Sequence, residues 1–253
     1  MFQQLQVGLD HLRQGLHVTC VDHRVLGDFH RLIGLHEDAL SAGARRRVLR
    51  TLSFEDMRQR YDAVNDPHAK TFQWILRSQD GVLHVAGKLG SGKSTIMKFL
   101  AQCPETNEGL KIWAGDRKLV FATFFFWKPG SELQRSLPGL LRSLLHDILT
   151  SCPKIIPDHD ESPISIPPSV ILLAFNQLVS RNTTLRDSHC FCFLIDGLDE
   201  YAETAQHDRR HMVDLLNNWR KASPGAVKLC ASSREDNVFM NAFPADTRLC
   251  LHN

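Results

Sequence analysis

The stretch Gly87-Lys88-Leu89-Gly90-Ser91-Gly92-Lys93-Ser94-Thr95 decides the fold, because it matches the phosphate-loop (Walker A) pattern G-x-x-x-x-G-K-[ST]. The apolar residues 82–86 before it predict a buried strand, and residues 95–100 after it predict the start of a helix. Glycines let such a turn curl around an anion with its N–H groups pointing inward. We therefore predict a nucleotide-binding loop in which Lys93 contacts the β- and γ-phosphates and Ser94 binds Mg²⁺. The alternative is a glycine-rich turn that binds nothing.

The bulk composition is that of an ordinary globular protein, with 43% hydrophobic and 23% charged residues in a chain of 253. The formal net charge is +2, and Lys and Arg are spread along the chain. We therefore expect neither a nucleic acid nor a membrane surface as a partner. The one basic cluster, residues 45–47 with Arg50, is typical of a solvated helix face rather than a nucleic-acid or nuclear-import patch.

The cysteines and the N-terminus indicate the compartment. Seven cysteines occur without a C-x-x-C pair or zinc-finger spacing, which favours reduced, buried thiols. The first residues lack the basic and apolar regions of a secretory signal, and no run of 18 apolar residues occurs. The 13 histidines show no metal-binding spacing. We expect a cytoplasmic protein.

Two regions are predicted along the chain. Residues 1–60 show helical periodicity without strand signals and are expected to form a helical extension, and residues 61–253 are expected to form an α/β domain. A short amphipathic helix is predicted at residues 71–76. The candidate apolar positions of the helical extension are Leu26, Phe29, Ile33, Val48, Leu49 and Leu52.

Strand and helix patterns alternate after the phosphate loop, which predicts a five-stranded, mainly parallel sheet flanked by helices on both faces. The further strands are predicted at residues 119–127, 189–195, 227–232 and 248–251. Helices are predicted around residues 137–148 and 169–179 and over a stripe of Met212, Leu215, Leu216 and Trp219. The proline-rich residues 158–168 predict a surface loop.

An acidic motif follows the third of these strands. Asp196 ends the strand, and Asp199 and Glu200 come just beyond it. A carboxylate at a strand end near a phosphate loop can orient the water ligands of Mg²⁺, which makes Asp196 the candidate metal residue. Asp199 or Glu200 could polarise the attacking water. The alternative is an acidic loop that caps the next helix.

The fourth predicted strand ends in Ser232-Ser233-Arg234, at the sheet edge where ligands bind in open α/β folds. A planar guanidinium there could contact the γ-phosphate and report its presence, so Arg234 is a candidate catalytic residue. The alternative is an Arg234 that pairs with Asp236 or Glu235. The two serines carry less signal.

Together these motifs resemble the NACHT-type P-loop NTPases of the signal-transducing STAND group, and most nearly the nephrocystin-type N-terminal module of fungal NOD-like receptors. Asp196–Glu200 resembles their Walker B motif, and residues 49–57 with Arg60, 68–76, 124–127 and 140–145 resemble spacers of that module. The likeness spans about residues 45 to 253. Leu89 stands where relatives often carry proline, and so does Glu235.

The resemblance implies an ATP/ADP- and Mg²⁺-binding switch, with Lys93, Ser94, Asp196, Asp199 or Glu200, and Arg234 in the roles given above. It implies slow ATP hydrolysis and protein partners reached through nucleotide-controlled self-association, in an innate-immunity-like or cell-death pathway. Residues 68–74 are candidates for adenine contact, with core packing of Phe72 and Trp74 as the alternative. The winged-helix and repeat regions of such relatives are not found in residues 61–253.

A second class of function stays open. The alternative is a scaffold module, such as a truncated receptor, in which bound nucleotide stabilises the fold without significant hydrolysis. A small-molecule kinase is disfavoured because residues 100–190 hold no arginine cluster suited to a lid. A helicase is disfavoured by the near-neutral charge.

Overall fold

A computed structural model of the protein describes residues 42–65, 81–152, 167–181, 187–205 and 207–251. Several predictions lie outside these residues: the apolar positions Leu26, Phe29 and Ile33, the helix at residues 71–76 with its candidate adenine contacts, and most of the loop at residues 158–168.

Five strands form one sheet, in which every pair of neighbours is parallel. The strand order is β2-β3-β4-β1-β5. This confirms the predicted five-stranded sheet. The strands are β1 (Val82–Gly87), β2 (Lys118–Phe125), β3 (His189–Asp196), β4 (Val227–Ser233) and β5 (Arg248–Leu251). The second strand ends before the predicted residue 127, although the N–H of Phe126 still donates to the carbonyl oxygen of Asp196.

Helices occupy the connections between these strands and the region before β1. They are α1 (Ala42–Leu52), α2 (Gln59–Ala63), α3 (Lys93–Gln102), α4 (Pro104–Ala114), α5 (Leu137–Ser151), α6 (Pro168–Asn176), α7 (Arg209–Ala222) and α8 (Asn237–Ala242). A π-helical turn (Gln177–Arg181) continues α6, and a 3₁₀ turn (Leu198–Glu200) follows β3. The predicted boundary at residue 60 falls within α2, and the division into two regions stays a prediction.

Local sequence explains where the two longest helices begin. The Ser136 hydroxyl accepts from the N–H of Gly139, and a proline occupies the first turn of α5. The Asp208 carboxylate accepts from the N–H of His211 at the start of α7. The predicted stripes are buried: Leu140 and Leu144 in α5 are fully enclosed, as is Trp219 in α7.

The sheet is covered on both sides, as predicted, and its strands alternate between the two. Phe191, Phe193 and Ile195 of β3 join one large apolar cluster, and Leu194 joins a smaller one. We call the side packed by α1, α5, α6, α7 and α8 the broad face. We call the side packed by α3, with Tyr61 and Val64 from the end of α2, the loop face. The region before β1 thus contributes to both faces, since Val48 and Leu52 of α1 belong to the large cluster.

The free thiols agree with the predicted reduced state. The six cysteines among the described residues form no disulfide. Burial raises the pKa of Cys152 to about 11 and that of Cys192 to about 12, so both stay protonated thiols at neutral pH. No helix within the described ranges is long and apolar enough to cross a bilayer.

The topology fixes where a site can form. All five strands run in one direction, so their carboxyl ends meet at one edge of the sheet. The phosphate loop follows β1, and the acidic motif follows β3; β4 lies between these two strands. The three predicted motifs therefore share an edge.

Candidate functional site

The loop between β1 and α3 is a compact turn held by its own lysine. The Nζ of Lys93 donates to the carbonyl oxygens of Gly87 and Lys88, at 2.7 Å in both cases. Gly92 precedes α3 with φ 86°, a left-handed conformation that favours glycine. The side chain of Leu89 at the tip of the loop is exposed. The first residues of α3 thus close the turn that β1 begins.

Lys93 also brings the loop and the acidic motif into one electrostatic cluster. Burial lowers the pKa of the Lys93 ammonium, and the nearby carboxylates of Asp199, Asp196 and Glu200 oppose that effect. The positive charge of Arg234 acts in the same direction as burial. The residues predicted from the other two motifs therefore lie within electrostatic range of Lys93.

Asp196 lies buried at the end of β3, with 2% of its surface exposed. The Ser232 hydroxyl donates to Asp196 Oδ1 at 2.5 Å and accepts from the N–H of Gly197 at 2.8 Å. Burial raises the pKa of Asp196, and this rise is opposed by hydrogen bonds from Ser232 and Ser94 and by the charge of Arg60. The contact with Ser94 joins the two predicted metal residues.

Ser232 is a residue whose role was missed from the sequence. It is the second-last residue of β4, next to β3, and its hydroxyl orients the carboxylate that β3 carries. The available signal was its position, because a polar residue near the end of a buried strand at the ligand edge is unusual. In the sequence, that signal was weaker than the arginine beside it.

The 3₁₀ turn after β3 separates the other two acids. Gly197 enters this turn with φ 72°, and Asp199 then points toward the end of β4. Arg234 binds both oxygens of this carboxylate: its Nε lies 2.9 Å from Oδ2, and its backbone N–H donates to Oδ1 at 3.0 Å. Asp199 is 8% exposed, whereas the Arg234 side chain is 48% exposed.

This arrangement changes the interpretation of Arg234. Its ion-pair partner is Asp199, and the alternative of a pair with Asp236 or Glu235 is wrong, because Asp236 binds Arg209 at 3.0 Å. The γ-phosphate role of Arg234 stays a prediction. Arg209 also donates to the backbone oxygen of Asp199 at 3.0 Å, so the turn is held from two sides.

Glu200 has a different environment from its neighbour. It is half-buried, and its Oε2 accepts from the backbone N–H of Lys128 at 2.9 Å. Among the described residues no arginine or lysine forms an ion pair with it. Of the two predicted catalytic carboxylates, Asp199 is paired with a cation and Glu200 is not, among the described residues.

A second missed residue comes from the helical extension. Arg60 of α2 places its Nη2 3.5 Å from the Ser94 hydroxyl. Nothing in the spacing of residues 54–63 predicted that this arginine lies beside the loop, because α2 is separated from β1 by residues 64–81. Ser94 therefore has Arg60 and Asp196 as neighbours.

The donor set suits one kind of metal. Within the described ranges no group of three His, Cys, Asp or Glu side chains is placed to hold an ion. Ser94 and Asp196 instead offer one hydroxyl and one carboxylate, which fit Mg²⁺, since it keeps several waters and takes few protein ligands. These residues fit Mg²⁺ better than zinc.

The predicted residues of this site lie within the part of the chain that matches a known family. The family described as Nephrocystin 3, N-terminal matches residues 67–234. This chain belongs to that family. The match begins before the phosphate loop and ends at Arg234, so it includes every predicted site residue and excludes Arg60. No curated protein matches the chain.

Proposed function

We propose that the protein is an ATP/ADP-binding signalling NTPase of the STAND/NACHT type, whose nucleotide state controls its self-association. The observation that carries this proposal is that the loop after β1 and the buried Asp196 at the end of β3 meet at one edge of an all-parallel sheet, with Ser94 beside Asp196. A loop hydroxyl beside a strand-end carboxylate is the arrangement that Mg-nucleotide sites use. The pathway expected from the resemblance is innate-immunity-like or cell-death signalling.

Each residue has a role in this proposal. The loop N–H groups and Lys93 bind the β- and γ-phosphates, so Lys93 exchanges its two backbone carbonyl partners for phosphate oxygens. Ser94 and Asp196 hold Mg²⁺, which when bound neutralises charge on the phosphates. Ser232 keeps the Asp196 carboxylate in position.

Hydrolysis requires a base near the terminal phosphate, and Glu200 is the better candidate. Asp199 has both oxygens bound by Arg234, so it serves to aim that guanidinium, whose exposed end can reach a γ-phosphate. Glu200 accepts one backbone hydrogen bond and retains capacity to accept a proton from water.

The engaged state of Asp199 also favours the second candidate, a scaffold that binds nucleotide without significant turnover. The two candidates differ in one measurable property, namely phosphate release that depends on a carboxylate. Glu200→Gln should abolish phosphate release from ATP if the protein is an NTPase, and Glu108→Gln on the exposed side of α4 should not. Absence of turnover in the wild type, with binding retained, would favour the scaffold.

The binding claim has its own test. Lys93→Ala should remove measurable binding of Mg-ATP in titration calorimetry, because the variant lacks the cation at the loop. Lys111→Ala, which removes an exposed lysine from α4, should bind as the wild type does. Unchanged ATP affinity in Lys93→Ala would refute the proposal. Light scattering of the wild type with ATP and with ADP then tests self-association.

A further inference from the structure

Arg60 is placed to act on whatever the phosphate loop binds. Its Nη2 lies 3.5 Å from the Ser94 hydroxyl, at the start of the helix that follows the phosphate loop. The guanidinium therefore lies beside Ser94, one of the two residues to which we assign Mg²⁺. Arg60 reaches this position from α2, which lies before the residues that the family match covers.

The Arg60 guanidinium has N–H donors that no acceptor among the described residues uses. Arginine carries five N–H donors, and the contact with Ser94 is at the long limit of a hydrogen bond. The Nε of Arg60 is shielded from solvent and has no hydrogen-bond partner among the described residues. A buried donor without a partner costs free energy, so a ligand that supplied an acceptor at this point would stabilise the folded protein.

Other arginines near this edge differ from Arg60. Arg58, two residues earlier, forms an ion pair with Asp147 and donates to the Thr123 hydroxyl at 2.6 Å. Arg234 is bound to Asp199. Arg60 takes part in no ion pair with a described carboxylate. Arg209 pairs with Glu203 and Asp236. Of these arginines, Arg60 is the one whose charge no described carboxylate neutralises.

The position of Arg60 is fixed by its neighbours. The ring of Tyr61 packs edge-on against Phe125 at the end of β2, with centroids 5.0 Å apart. Lys98 of α3 donates to the carbonyl oxygen of Val64 at 2.6 Å, and its Nζ lies 5.6 Å from the centre of the Tyr61 ring. These contacts dock α2 on the helix that the loop begins, so Arg60 is held beside Ser94.

We propose that Arg60 contacts the γ-phosphate of a nucleoside triphosphate, which makes α2 a sensor of the triphosphate state. This inference rests on the proposed function. Mg²⁺ held by Ser94 would neutralise charge on the phosphates, and a guanidinium beside Ser94 is placed to reach the terminal phosphate as well. Guanidinium suits the task because its planar donors match phosphate oxygens. Loss of the γ-phosphate then removes the contact with Arg60, which belongs to α2 and not to the sheet.

The test compares ATP with ADP. Affinities of both nucleotides with Mg²⁺ are measured for the wild type and for Arg60→Ala, Arg60→Lys and Arg60→Gln. Arg60→Ala should weaken ATP binding about tenfold or more and ADP binding less than about twofold, since ADP lacks the contacted group. Arg60→Lys should restore part of the ATP affinity. The matched control is Arg50→Ala, which removes an exposed arginine from α1 and should change neither affinity.

The outcomes separate this inference from the proposed function. Equal loss of ATP and ADP affinity in Arg60→Ala, or an unchanged ratio of the two, overturns the γ-phosphate contact. Melting temperatures without nucleotide show whether a variant is folded; if Arg60→Ala is not, Arg60→Gln carries the same comparison. Wild-type protein that binds neither nucleotide refutes both proposals. Normal binding that Lys93→Ala abolishes and Arg60→Ala leaves intact refutes only this one.

Discussion

The broad face and the loop face of the sheet differ in the size of their apolar clusters and in the polarity of the side chains buried there. The broad face is a continuous apolar cluster in which aromatic rings pack at tilted and edge-on angles, among them Phe175, Phe193 and Trp219. The loop face has a smaller cluster and includes the buried Lys98, whose ammonium binds a backbone carbonyl. The comparison suggests that the first face supplies stability, whereas the second supports the charged groups of the site.

The largest effect is expected from breaking the broad face. Trp219 is 1% exposed, its ring centre lies 4.4 Å from that of Phe175, and its Nε1 donates to Asn176. Trp219→Ala should lower the free energy of unfolding by about 3–5 kcal/mol, measured by urea denaturation. Nucleotide affinity of the folded protein should not change. A loss no greater than that of Trp113→Ala, which removes a half-buried tryptophan on α4, would contradict this division of roles.

A pH effect should come next, also on the broad face. His84 of β1 is fully buried; its Nε2 lies 2.8 Å from the Ser233 hydroxyl, and its ring lies against Phe243. Burial, with a smaller contribution from the charge of Arg248, lowers the pKa of His84 to about 4. The folded state therefore prefers the neutral ring, and the unfolded state takes up a proton first as the pH falls.

Stability from this residue is fully present above pH 6.5 and is lost as the pH falls from 6.5 to about 4. The loss should reach about 3 kcal/mol at most. Urea denaturation across this range measures it, and His84→Gln should flatten the curve. His211→Gln, at an exposed site in α7, should leave the slope as it is. An unchanged slope in His84→Gln would show that other groups cause it.

A smaller loss is expected on the loop face. Tyr61→Ala removes the ring that packs on Phe125 and lies beside Lys98. Because Tyr61 is half-buried, the variant should lose about 1–2 kcal/mol of unfolding free energy. It should also reduce the preference for ATP over ADP, since α2 then holds Arg60 less firmly. If Tyr61→Ala keeps the preference for ATP over ADP, then the packing of Tyr61 is not needed for the proposed sensing by Arg60.

The smallest effect is expected outside both faces. Ile112 on α4 is 83% exposed. Ile112→Gln should change the free energy of unfolding by less than about 0.5 kcal/mol and leave nucleotide affinity unaltered. A larger loss in denaturation would indicate that Ile112 packs against another part of the chain or a second copy, and light scattering would tell these apart.

Much of the fold could be predicted from the sequence, because strand signals were strong wherever the sheet is buried on both sides. The apolar runs of β2 and β3 are of this kind. The strand order was not predictable, since β1 pairs with β4 and β5, which lie far along the chain. Helix α4 was missed because Pro104-Glu105-Thr106-Asn107 and Gly109 weaken the helical pattern.

The site was predictable where chemistry and local pattern coincide. A carboxylate directly after a buried strand identified Asp196, and the loop motif identified Lys93 and Ser94. The pairing of Asp199 with Arg234 was not predictable, because it depends on β3 and β4 being neighbours. Arg60 was hidden for the same reason, since its position depends on how α2 docks.

The hydroxyl of Ser232 donates its one proton to Asp196 and accepts a hydrogen bond from the N–H of Gly197. These two bonds tie the end of β4 to the end of β3 at a point where the strands are about to part. A slip of one residue between these strands would turn the serine to the opposite face and break both bonds at once. The positions of Ser232 and Asp196 thus depend on the alignment of the two central strands: a sheet paired one residue out of register would not hold the Asp196 carboxylate in this position.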